Sequence, residues 1–118
     1  MATDRCDLLC LDLDRAEALR HSAPDPDDLE RSANRAKALS DPTRLAVAVA
    51  LAGGGELCVC DLAWVVNKSE KLVSHHVGVM KAAGLVRRRR DGKMVMYALT
   101  GEGITLLEAV GIVQGVAA

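Results

Sequence analysis

The chain has 118 residues and no Phe; its aromatic content is Trp64 and Tyr97 alone. Any core must therefore be aliphatic, drawn from Ala, Val and Leu. A single domain of this length hides roughly two-thirds of the surface its unfolded form exposes. With so little aromatic bulk, further stability commonly comes from oligomerisation, so a dimer is expected. No apolar run approaches the ~20 residues that span a bilayer, and no membrane partner is expected. The opening residues lack the order of a secretory leader and carry Asp4, Asp7, Asp12 and Asp14 instead. A reducing cytoplasm is the expected location. There, clustered cysteines point to metal or redox chemistry rather than to a disulfide framework. Gly53-Gly54-Gly55 lacks the Lys-Ser/Thr of a phosphate-binding loop, and no nucleophile–base–acid set stands out. An enzyme is not expected.

What is present is unevenly spread. Residues 1–41 hold ten acids and six bases, whereas 81–93 hold six bases and one acid. A near-neutral chain with one basic patch fits contact with a polyanion at one place. A solvated charged face is the plainer reading; position after a helix-turn-helix pattern favours the sharper one. The four cysteines form two tight pairs, Cys6 with Cys10 and Cys58 with Cys60.

Taken in order, residues 1–26 read as an adaptable arm in which one helical turn can form. That turn would set Cys6 and Cys10 on one face. Residues 27–118 read as the folded domain. Leu29, Ala33, Ala36 and Leu39 keep helical spacing; Asp41 caps the next helix with Pro42 at its first position, and the three glycines end it. A short helix over 60–66 follows, carrying Trp64 as a core residue. Asn67-Lys68-Ser69 makes the turn, Ser69 caps a second helix, and Leu72, Val73, His76, Val77 and Met80 form its inward stripe. Gly84 ends it. Two short strands around Asp91-Gly92 make a hairpin, and Thr100 caps a last apolar helix. The order is a winged helix-turn-helix: mainly α with a small β-hairpin, the terminal helices serving a homodimer seam.

Asp41-Pro42-Thr43-Arg44, Glu56-Leu57-Cys58-Val59-Cys60-Asp61, Ser74-His75-His76 and Ala83-Gly84-Leu85-Val86 together resemble the ArsR/SmtB family of metal-responsive winged-helix repressors, and within it the cadmium/lead-responsive members. The resemblance covers nearly the whole chain, the Cys6–Cys10 arm included. It implies a homodimer that holds double-stranded operator DNA when metal-free and lets go when metal binds, derepressing a metal-export gene. It further implies that Cys58 and Cys60 of one subunit join Cys6 and Cys10 reaching over from the other, Cys10 being the weaker ligand. Some relatives carry a second site on the last helix. Here its places hold Gly101, Gly103, Gln114 and Ala117, so that site is expected to be absent.

Cysteines at i and i+2 diverge on a regular helix. They converge if Cys58 lies in an extended entry and Cys60 in the first helical turn, where the helix dipole favours thiolate. Four thiolates suit Cd(II) and Pb(II), with Zn(II) as a tetrahedral competitor. Ligation requires deprotonated sulfur, so acidification should weaken it. The alternative is a thiol-based redox repressor using the same cysteines. For DNA, the second helix should enter the major groove, with Ser69, Lys71, Ser74 and His75 reaching bases or phosphates. Arg88, Arg90 and Lys93 of the hairpin should meet phosphate or minor groove. Arg44 either touches the backbone or braces the helices. His76 is expected to pack inward and His21 to sit alone on the surface.

Overall fold

The computed structural model describes residues 10–111. Helices α1 (Leu13–His21), α2 (Pro26–Ala38), α3 (Pro42–Gly54), α4 (Val59–Val66) and α5 (Glu70–Ala82) precede a hairpin of β1 (Val86–Asp91) and β2 (Met94–Leu99); α6 (Gly101–Ala109) closes the described chain. Local chemistry sets most boundaries. Asp41 accepts from the Arg44 amide at 3.0 Å with Pro42 at the first position of α3, and Ser69 Oγ accepts from the Leu72 amide at 3.1 Å at the start of α5. Gly55 ends α3 at φ +81°. Asn67 takes the left-handed conformation between α4 and α5, φ 57° and ψ 51°, and the Lys68 amide closes back on the Ala63 carbonyl. Gly84 does the same for α5 at φ +82°, with the Leu85 amide on the Met80 carbonyl at 2.9 Å.

The core is aliphatic. Leu51, Leu62, Met80, Leu85 and Leu107 are its largest fully buried side chains, with Val47, Val73 and Val77 between them. Helices α3, α4 and α5 pack around these residues, and α6 adds Leu107. Gly103 lets α6 approach closely: a Cβ there would collide with the Leu85 carbonyl oxygen. The hairpin pairs Val86 with Leu99 through to Asp91 with Met94, and Gly92 (φ +65°) supplies the positive φ its two-residue turn needs.

Three expectations require correction. The arm contains more than one turn: α1 has nine residues, capped by Asp12, whose side chain accepts from the Arg15 amide. Its alternating Leu and Asp fit no buried period because none of its residues is buried. Trp64 is 84% exposed, not core, since α4 buries Leu62 and Ala63 and turns its other face outward. Leu72 lies at the edge of the α5 stripe and is 39% exposed, whereas Val73, His76, Val77 and Met80 are buried as expected.

Candidate metal centre and nucleic-acid interface

The approach to α4 is where chain direction and cysteine spacing meet. Leu57 and Tyr97 exchange backbone hydrogen bonds of 3.0 and 2.9 Å, which extends residue 57 along the edge of β2. The next residue, Cys58, is still extended (φ −86°, ψ 168°) and forms the N-cap of α4 without a side-chain capping bond. Cys60 falls in the first helical turn. This change of backbone brings the two sulfurs to 3.1 Å from each other. A carboxylate oxygen of Asp61 joins them, all three donor atoms lying within 4.8 Å of one another. Asp61 stands in the motif but does not figure among the expected ligands; its signal is position, one residue past Cys60.

These donors fit a soft divalent ion. Two thiolates on one tetrahedral zinc, at about 2.3 Å each, sit roughly 3.8 Å apart, so the pair needs to open by less than one ångström. The expected help from the helix dipole is outweighed at Cys60, whose thiol is pushed above its ordinary value. The cause is first the hydrogen bond shared with Cys58, then burial, then the nearby charges of Cys58 and Asp61. Two adjacent thiols hold a proton between them, and a cation relieves the repulsion that keeps it there.

Cys58 and Cys60 face a cleft of about 290 Å³ that Glu70 of α5 and Lys93 and Met94 of the hairpin also line. The thiols therefore adjoin both elements expected to read DNA. Cys10 is exposed at the start of the described residues, and Cys6 lies outside them, as do Gln114 and Ala117. At Gly103 of α6 the approach to the Leu85 carbonyl leaves no room for a side chain.

On α5, Ser69, Lys71, Ser74 and His75 are exposed together, although Ser69 Oγ is engaged in its cap. Arg88, Arg90 and Lys93 are exposed on the hairpin. Arg44 serves as a brace: its Nε donates to the Ala38 carbonyl at 2.6 Å, and its Nη1 lies 3.1 Å from His76 Nδ1. That bond requires Nδ1 to accept, which puts the neutral ring's proton on Nε2. Burial holds His76 below the ordinary imidazole value, against the opposing pull of Asp41. His21 sits on the surface, its Nδ1 2.8 Å from the Glu17 carbonyl. Arg89 forms a two-pronged ion pair with Glu56 at 3.0 and 2.6 Å, and this pair holds the Glu56 carboxyl below its ordinary value.

The family model for bacterial regulatory proteins of the arsR type matches residues 41–88. A cadmium resistance transcriptional regulatory protein, a CadC homolog of Staphylococcus aureus, is 34% identical over 107 residues, covering 91% of this chain and 88% of that one. This chain belongs to the ArsR family of transcriptional regulators. A SmtB repressor homolog of Synechocystis is 37% identical over 94 residues, covering 80% of this chain and 70% of its own. The homodimeric winged helix-turn-helix domain of a possible ArsR-family regulator from Mycobacterium bovis, solved by NMR, superposes with a TM-score of 0.66 at 29% identity and 89% coverage of both chains. The winged helix-turn-helix is thus the ArsR fold, a DNA-binding regulator and not an enzyme. Among the described residues, no helix is long and apolar enough to cross a membrane.

Proposed function

We propose that this ArsR-family chain is a metal-sensing repressor of the cytoplasm. It holds operator DNA as a metal-free homodimer and releases it when a soft cation is bound. Cys58 and Cys60 supply two thiolates and Asp61 an oxygen; Cys6 and Cys10, in the arm of residues 1–26, are contributed by the other subunit. The observation that carries this reading is the convergence of Cys58, Cys60 and Asp61 at the start of α4, in one cleft with Glu70 of α5 and Lys93 of the hairpin. Sulfur-rich donors suit Cd(II) and Pb(II) ahead of Zn(II), and the names of the cadmium-resistance relatives agree.

Within the reading, Lys71, Ser74 and His75 of α5 face bases or nearby phosphates with Ser69 at the helix start, and Arg88, Arg90 and Lys93 meet the backbone. Arg44 acts by bracing α3 against α5 before any phosphate contact. The homodimer gains support from apolar side chains left outside on α2, on α6 and just beyond it: Leu29 is 53% exposed, and Ile104 and Val110 are 46% exposed. Closing the site would tie one subunit's arm to the helix that supports the other's reading helix, favouring a dimer geometry mismatched to two half-sites.

The test is operator affinity by fluorescence anisotropy, in strong reductant and at one fixed salt concentration, without metal and with each of Cd(II), Pb(II) and Zn(II). Loss of affinity on adding cadmium or lead is expected. Release that ignores the ion and requires an oxidant would instead establish the thiol redox repressor.

A further inference from the structure

The cysteine loop is built into the wing. The Leu57–Tyr97 bridge makes residue 57 a third-strand position beside β2. Continued by one residue either way, that register sets Glu56 beside Ala98 and Cys58 beside Met96, whose partners across the hairpin are Arg87 and Arg89. Glu56 crosses this ladder on the diagonal to grip Arg89 with both carboxylate oxygens. Asp91 flanks the same guanidinium at 3.9 Å. Arg88 and Arg90 project from the opposite pleat, because side chains alternate along a strand.

A half-exposed ion pair adds little to stability. What a two-pronged arginine–carboxylate contact adds is fixed geometry. Here it joins a residue two positions before a metal-ligand candidate to the middle of the basic strand, 33 residues along the chain. We propose that Glu56 is a positioning residue of the switch: its grip on Arg89, together with the Leu57–Tyr97 bridge, makes the cysteine loop and the wing one rigid body, so that displacement of Cys58 and Cys60 reaches the wing directly. The same grip keeps Arg89 off the DNA, leaving Arg88 and Arg90 for phosphate. The inference rests on the metal-responsive reading above. It adds a route through the wing to the one through α4 and α5.

The experiment uses the full-length protein in reductant with cadmium as the probe. Glu56→Gln keeps the side-chain shape and removes the charge. It should bind cadmium with the stoichiometry and thiolate charge-transfer band of the unsubstituted chain. Its ratio of operator affinities without and with cadmium should fall at least fivefold, and Arg89→Gln should cut the same link from the wing side. The reversed pair Glu56→Arg/Arg89→Glu should recover much of the lost ratio. In metal-free protein, the Leu57 and Tyr97 amides should exchange with solvent several-fold faster in Glu56→Gln. An unchanged cadmium ratio, unchanged amide exchange, or no recovery in the reversed pair overturns the inference. No cadmium response in the unsubstituted chain would instead sink the metal-sensing reading, and the inference with it.

Discussion

Residues 56–66 and residues 10–26 both carry cysteine into short helices, α4 of eight residues and α1 of nine, yet their surroundings differ completely. Helix α4 rests on Leu62, fully buried, and its entry is pinned to β2 by the Leu57–Tyr97 bridge. Helix α1 buries nothing, leaves Leu13 64% exposed, and depends on the Asp12 cap and a Glu17–Arg20 ion pair at 3.6 Å. Cys58 and Cys60 are thus held in place by packing, while Cys10 precedes a helix that buries no residue; on the proposed reading, the other subunit's Cys58 and Cys60 complete its site. On that reading, metal binding would join the two segments across the dimer, and such a link between subunits is what a switch needs.

The largest expected effect separates the two halves by function. Cys58→Ser should still bind operator but lose the cadmium response, so that a coupling of about 1–3 kcal/mol falls to near zero. Cys10→Ser, on the arm, should reduce the response without abolishing it. Operator titrations with and without cadmium measure both.

Stability should divide the same way. Leu62→Ala opens a cavity beneath the metal loop and should cost about 2–5 kcal/mol in urea denaturation. Leu13→Ala, on the exposed arm helix, should stay within about 0.5 kcal/mol. A comparable loss at Leu13 would mean that the arm is as firmly packed as α4.

A smaller effect comes from the brace beneath α5. His76 titrates below the ordinary imidazole value of 6.5 because it is buried. The folded chain therefore binds fewer protons there than the unfolded one between those two values. Stability from this group is complete above the ordinary value and is lost as pH falls through the folded one. Denaturation midpoints measured across that range should drop on acidification, and His76→Gln should flatten the drop.

Much of this fold was legible because its punctuation is local. Asp41, Ser69, Gly84 and Gly92 each act within a few residues of themselves, and each stands where the elements begin or end. The extended-then-helical path through Cys58 and Cys60 followed from spacing, since a regular helix would have parted them. What escaped was settled at a distance. Trp64 lies in an unbroken apolar run, residues 62–66, and periodicity within so uniform a run cannot tell which side is buried. Arg44 and Arg89 find their partners 32 and 33 residues away, in His76 and Glu56, so charge pattern alone could not separate bracing arginines from those free to meet DNA. Asp61 stood in plain view, but a carboxylate after a cysteine pair is read as a helix-start acid until its oxygen is placed beside the sulfurs.

The most direct test of the divided site mixes two inactive halves. Protein carrying Cys6→Ser/Cys10→Ser is combined with protein carrying Cys58→Ser/Cys60→Ser, the subunits are exchanged, and cadmium is added while the thiolate charge-transfer band is recorded. If each site draws sulfur from two chains, the mixture forms intact sites, and its absorbance per bound cadmium exceeds that of either parent alone. A mixture showing only the average of its two parents would contradict the account.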